Sequence, residues 1–209
     1  MKKFLMSIVA VLFAANSFAQ YSSGGFSLSE STVYYGVRVG LNLSTLTGDG
    51  MGDFGMKPGL NVGPTIGVRV SETTPVFLES GVYFSMQGAK DGDNSVALNY
   101  FKIPVLIKYG VQVSDEFAVL PFLGPTIAFG VGGDWKTAGA GSESSFGNGK
   151  FNRFDAGIRF GCGAEWNKLY LELGYEFGIT NIADWKKDNG IDDASAHNGN
   201  LFINFGVNF

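Results

Sequence analysis

The residues of this 209-residue chain that could carry out covalent chemistry are few. Its only histidine, His197, lies in a polar stretch with Asp188, Asp192, Asp193 and Ser195, so a His-Asp-Ser constellation for acyl transfer to a lipid can be drawn. Short polar loops collect such residues through composition alone, and a triad also needs a scaffold that holds nucleophile and base within hydrogen-bond reach. Asp91-Gly92-Asp93-Asn94 and the acids of 188–193 offer hard oxygen ligands, but neither run has the twelve-residue calcium-loop pattern. The glycine-rich stretch 130–149 has no lysine at phosphate-loop spacing and opens no helix. Cys162, the only cysteine, cannot form an internal disulfide; with Gly161 and Gly163 beside it, in an apolar phase, it reads as an inert buried or lipid-facing thiol. The expectation is a chain with no catalytic, cofactor or metal site.

The elements that would have to position any chemistry are more legible. Lys2 and Lys3, an apolar run from Phe4 to Ala15, and Ser17-Phe18-Ala19 have the order of a secretory signal peptide, predicted to span 1–19. A segment 20–32 then leads into a single domain, 33–209. Charged residues are 16% of the chain, where about 25% is ordinary for a soluble domain. A net charge of -4 without a basic run excludes a nucleic-acid footprint. No later stretch is apolar and long enough for a spanning helix, so insertion of the mature chain would have to use strands.

From Val33 onward, side chains alternate with period two in eight successive blocks. In the first, Val33, Tyr35, Val37, Val39, Leu41 and Leu43 share one face, against Tyr34, Gly36, Arg38, Gly40 and Asn42. In the sixth, Phe154, Ala156, Ile158, Phe160, Cys162, Ala164 and Trp166 oppose Arg153, Asp155, Gly157, Arg159, Gly161, Gly163 and Glu165. Alternation alone would suit a soluble sandwich or ligand barrel, and the charges decide between them. The polar face gathers Arg38, Arg69, Lys102, Lys108, Arg153 and Arg159 with Glu79, Asp155, Glu165, Glu172 and Glu176, six positive against five negative. An eight-stranded barrel has an interior just wide enough for side chains, so paired ions and glycines can fill it while the apolar face meets lipid.

Loop lengths agree with that orientation. The connections 44–59, 87–96, 131–151 and 181–199 are long, and 71–75, 110–116 and 167–168 are short, the alternation of an outer-membrane barrel with its chain ends on the periplasmic side. Apolar-face aromatics fall toward strand ends: Tyr35, Tyr109, Phe117, Trp166 and Phe209 at one, Phe84, Phe101, Phe129, Phe154 and Phe177 at the other. Pro64, Pro104, Pro121 and Pro125 lie inside strands, where each removes a ladder donor, so bulges or kinks are expected there.

The segment Asn99-Tyr100-Phe101-Lys102-Ile103-Pro104-Val105-Leu106-Ile107-Lys108-Tyr109 resembles a strand of the outer-membrane β-barrel domain family that includes PorT-like proteins. Pro121-Phe122-Leu123-Gly124-Pro125 and Tyr175-Glu176-Phe177-Gly178-Ile179-Thr180-Asn181-Ile182 resemble further segments of it. The resemblance implies an eight-stranded antiparallel transmembrane β-barrel in a bacterial outer membrane; its motifs describe the scaffold and assign no activity. A terminal aromatic such as Phe209 resembles the signal read by the barrel-assembly machinery. The expected surroundings are outer-membrane lipid, that machinery during biogenesis, and an extracellular or envelope protein met by loop aromatics Trp135, Phe146 and Trp185. A packed, charge-paired lumen favours a non-enzymatic surface or envelope protein. The alternatives are a small-solute pore, a PorT-like secretion accessory, and a lipid-modifying enzyme using His197.

Overall fold

The computed structural model describes residues 33–48, 55–71, 73–114, 116–139, 141–146, 150–184 and 195–209. The expected leader 1–19 and the segment 20–32 lie outside them. The strands are β1 (Val33–Thr47), β2 (Gly55–Arg69), β3 (Val76–Gly81), β4 (Tyr83–Asp91), β5 (Asn94–Tyr109), β6 (Val111–Gln112), β7 (Phe117–Gly132), β8 (Asp134–Thr137), β9 (Gly141–Ser144), β10 (Phe154–Trp166), β11 (Leu169–Gly178) and β12 (His197–Asn208). β3 and β4 keep one register against β5, from Val76↔Tyr109 and Ser80↔Val105 to Tyr83↔Lys102, so together they make a single stave. Eight staves then pair antiparallel in chain order, with β5 joined to β7 and β7 to β10. The ring closes where β1 meets β12, from Gly36↔Asn208 to Thr47↔His197. Phe209 finishes that seam: its N–H donates to the Tyr35 carbonyl at 2.7 Å and its carbonyl accepts from the Tyr35 N–H at 3.0 Å. Closure satisfies the backbone internally, which a hydrocarbon surrounding requires.

Outward side chains in the barrel wall are apolar. Leu41, Ile107, Leu123 and Leu173 are 57%, 61%, 58% and 55% exposed, a surface that water would not tolerate over a whole circumference. The 13 residues of β10, at about 3.3 Å each and tilted about 40°, rise roughly 30 Å, enough for the apolar band of a barrel. At the outer end Phe101 pairs with Phe129 and Phe129 with Phe154, while Phe84 meets Phe101 edge to face at 5.8 Å, an aromatic arc across four staves. Phe177 pairs with Ile158, off that arc. At the other end Phe117 pairs with Trp166.

Two sequence expectations need correction. The prolines make no bulges: β1–β2 runs in one register past Pro64, β7–β10 past Pro121 and Pro125, and β5–β7 holds its register on both sides of Pro104. They leave gaps instead. Val82 donates to the Pro64 carbonyl at 3.1 Å, but Pro64 has no N–H to return, and the ladder breaks there between β3 and β4. The register irregularities lie nearer the outer end, between Met56 and Asn61 and between Asn99 and Tyr100. The second correction concerns the long connections. Strand continues through most of 87–96, turning only at Gly92-Asp93, where Gly92 has φ 54°; β1 and β2 extend to Thr47 and from Gly55; and 131–151 contains the hairpin β8–β9, which pairs with β5 through Val96↔Trp135. The short turn at Asn167-Lys168 is as expected, with Asn167 at φ 55°, a conformation asparagine tolerates better than most residues.

Candidate functional site: the lumen and its outer cap

Two of the lumen guanidiniums sit where a facing stave carries glycine. Arg38 on β1 lies opposite Gly63 on β2 and Gly206 on β12, and Arg159 on β10 lies opposite Gly124 on β7. Aromatic rings use the same device: a Cβ on Gly67 would run into the Tyr34 ring, and one on Gly163 into Tyr170.

In this space the charges join into a belt. Arg38 Nη2 lies 3.5 Å from Glu79 Oε2, Lys108 Nζ lies 2.8 Å from Glu79 Oε1 and 3.8 Å from Glu172 Oε2, and Arg159 Nη2 lies 2.8 Å from Glu172 Oε1. Neutral donors and acceptors complete it. Tyr34 donates to Glu79 at 2.6 Å, Lys108 to the Tyr170 hydroxyl at 2.7 Å and Asn204 to Glu172 at 2.7 Å. Asn208 accepts from Arg38 at 2.6 Å and donates to Glu165 at 2.5 Å. The guanidinium of Arg38 stacks 4.1 Å from the Tyr170 ring centroid and that of Arg159 3.8 Å from Phe202. Toward the outer end, Lys102 pairs with Glu176, and Asp155 accepts from Asn198 at 2.7 Å. Every charged member of this set is buried.

Two residues expected in the network lie at the ends of the barrel instead. Arg69, the last residue of β2, is half-buried at the end that carries the short turns and donates to the Ser71 carbonyl at 2.8 Å. Arg153, just before β10, is exposed at the outer mouth, donates to the Gly130 carbonyl at 2.8 Å and lies over the Phe146 ring. Strand termini reach the rim, so alternation that extends to the last residue overcounts the lumen.

Above the polar layer the lumen turns apolar. Leu46, Ala89, Val96, Leu98, Tyr100, Ala128, Phe146, Phe151, Ile182, Ala183 and Ala196 form one buried cluster, with Trp135 packed against it. Phe146 is 8% exposed and meets Tyr100 edge to face at 5.6 Å. Trp135 stacks on Phe151 at 5.5 Å with the Lys150 ammonium 5.4 Å from its ring. The expectation that Phe146 is an outward contact residue is therefore corrected: it points into the mouth of the barrel and helps to cap it. Trp135, partly buried, packs against the same cap. Trp185 lies outside the described residues.

His197 is half-buried at the start of β12, opposite Thr47, and Asp188, Asp192 and Asp193 lie outside the described residues. Asp91 and Asp93 are exposed at the tip of the β4–β5 hairpin, and Asn94 accepts from the Ala138 amide at 2.9 Å, tying that tip to the β8–β9 hairpin. Cys162 faces outward from the wall. Alternation alone placed Tyr34, Tyr170, Asn204 and Asn208 inside but did not reveal them as belt partners; an inward polar residue near a buried charge was the available signal.

A family model described as Outer membrane protein beta-barrel domain matches residues 18–184. No curated protein matches the chain. Among solved structures, a major outer membrane protein from Thermus thermophilus aligns with TM-score 0.51 at 12% identity, covering 85% of this chain and 100% of that one. Neisserial surface protein A aligns with TM-score 0.49 at 12% identity over 87% of this chain and 100% of that one. The attachment invasion locus protein Ail of Yersinia pestis aligns with TM-score 0.43 at 14% identity over 84% and 98%. The likeness to the Thermus protein is one of fold.

Proposed function

Since the chain belongs to the outer membrane β-barrel domain family, and so is a protein of the bacterial outer membrane held in its lipid, we propose that it is a non-enzymatic, non-conducting barrel that carries rigid hairpins at the cell surface for contact with an extracellular or envelope protein. The observation that carries this reading is the belt Arg38–Glu79–Lys108–Glu172–Arg159, whose members come from β1, β3, β5, β11 and β10 and so tie opposite walls across the lumen. A water-filled pore would separate these charges and hydrate each one. Held in contact and out of water, they fill the path instead. The contact surface under this reading is polar: the tips around Lys90, Asp91 and Asp93 and around Lys136, rather than the loop aromatics.

Planar-bilayer recording from refolded protein tests the closed lumen. The expected result is no steady conductance from wild type. Ohmic channels of uniform size from the pure protein would replace this reading with that of a small-solute pore.

A further inference from the structure

Among the described residues, nine charged side chains are more than nine-tenths buried: the cations Arg38, Lys102, Lys108 and Arg159, and the carboxylates of Glu79, Asp155, Glu165, Glu172 and Glu176. Four against five leaves one negative charge. Glu79 and Glu172 each touch two cations of the belt, Glu176 holds Lys102, and Glu165 shares Asn208 with Arg38. Asp155 touches no cation directly, although Lys102 lies on the neighbouring Glu176. Asp155 Oδ2 accepts from Asn198, while its Oδ1 is buried with no partner.

A second orphan oxygen lies beside it. Oγ1 of Thr126 is also buried without a partner, and both residues are 3% exposed. Thr126 on β7 and Asp155 on β10 line one crevice together with Glu176 on β11, while Gly157 and Gly178 put no side chain into it. The crevice is too tight to hold a free water molecule. It lies beneath the apolar cap, which shares Ala128 with its lining.

We propose that this crevice is a binding site for one small monovalent metal cation, sodium by preference, held by Asp155 Oδ1, Thr126 Oγ1 and the carboxylate of Glu176. Buried charges are paired or coordinate a metal, and hard cations take oxygen ligands of this kind. One positive charge balances the tally. A divalent ion would overshoot it and would meet the Lys102 ammonium, already on Glu176. The tightness of the space admits only a small ion, which favours sodium over the larger potassium. Bound there, the ion ties β7, β10 and β11 together just inside the cap.

The test is thermal unfolding of the protein refolded into detergent micelles in sodium, potassium or choline chloride at equal ionic strength and neutral pH. The unfolding midpoint should rise saturably with sodium, by several degrees over choline, and less with potassium, as expected of a ligand that binds only the folded state. Asp155→Asn should abolish the difference among the salts. If that variant does not fold, Thr126→Val decides, because it keeps the shape and removes one ligand: the sodium concentration for half-maximal effect should rise about tenfold. Equal wild-type midpoints in sodium and choline would overturn the proposal, as would an unchanged sodium response in both variants. So would a wild type that reaches its sodium midpoint in choline on mild acidification, since a proton would then be the neutralising species. A larger response to calcium than to sodium would overturn the single-charge assignment.

Discussion

At the level of Arg38 and Glu172 the inward side chains are ionic and the outward ones, such as Leu41 and Leu173, are aliphatic. Toward the outer ends of β1, β4 and β5, at Leu46, Ala89, Val96 and Leu98, the inward side chains are apolar and outward Lys90 and Ser95 are polar. The backbone is continuous through both regions, so the strand itself does not decide which face is oily; the solvent outside the wall does. Where lipid surrounds the barrel, ions can stay only inside, and they stay only when paired. Where water surrounds it, the ordinary rule returns and the apolar residues turn inward. The two regions should therefore fail differently when damaged.

Glu79→Ala is expected to have the largest effect. It removes the acceptor shared by Arg38, Lys108 and Tyr34, leaving two cations in a site closed to water, at a cost of about 3–5 kcal/mol. Urea unfolding of the refolded barrel measures this, and a loss under about 1 kcal/mol would mean that water reaches the belt. Gly163→Ala comes next. Its new methyl group would press on Tyr170, whose hydroxyl accepts from Lys108, and overpacking of this kind costs about 1–3 kcal/mol. Phe146→Ala should act locally, because the cap can open without unzipping the wall. Proteolysis of 138–152 should accelerate while the global unfolding free energy changes by less than about 1 kcal/mol; a global loss equal to that of Glu79→Ala would erase the distinction between the regions. Lys150→Ala should do least. It removes the contact with exposed Glu143 and the ammonium over Trp135, and the unfolding curve should overlay that of wild type.

The barrel was readable from sequence wherever one rule governed the alternation. The eight staves, their inward charges from Arg38 to Glu176, and the short turn at Asn167-Lys168 follow from period two and from where charge can sit beside lipid. The outer ends of β1, β4 and β5 were hidden because the polarity of the two faces reverses there; Lys90 and Ser95 outside with Ala89 and Val96 inside look like loop when the lipid-level rule is carried upward. The prolines misled for a related reason. A missing donor predicts local disruption, but paired neighbours on both sides hold the register, and only a gap such as the one at Val82 results. Neither the cap nor the Asp155 crevice was accessible, since both depend on which staves lie side by side. Phe146 shows the difficulty most directly, because an aromatic in a glycine-rich connection reads as a surface contact until the hairpin is seen to fold over the mouth.

The orientation on which all of this depends can be tested at the one native cysteine. A nitroxide attached to Cys162 of the protein refolded into lipid bilayers should collide readily with oxygen and poorly with a water-soluble nickel chelate, because the side chain projects from the wall into acyl chains. Strong relaxation by the nickel chelate with little by oxygen would place that face in water and contradict the account.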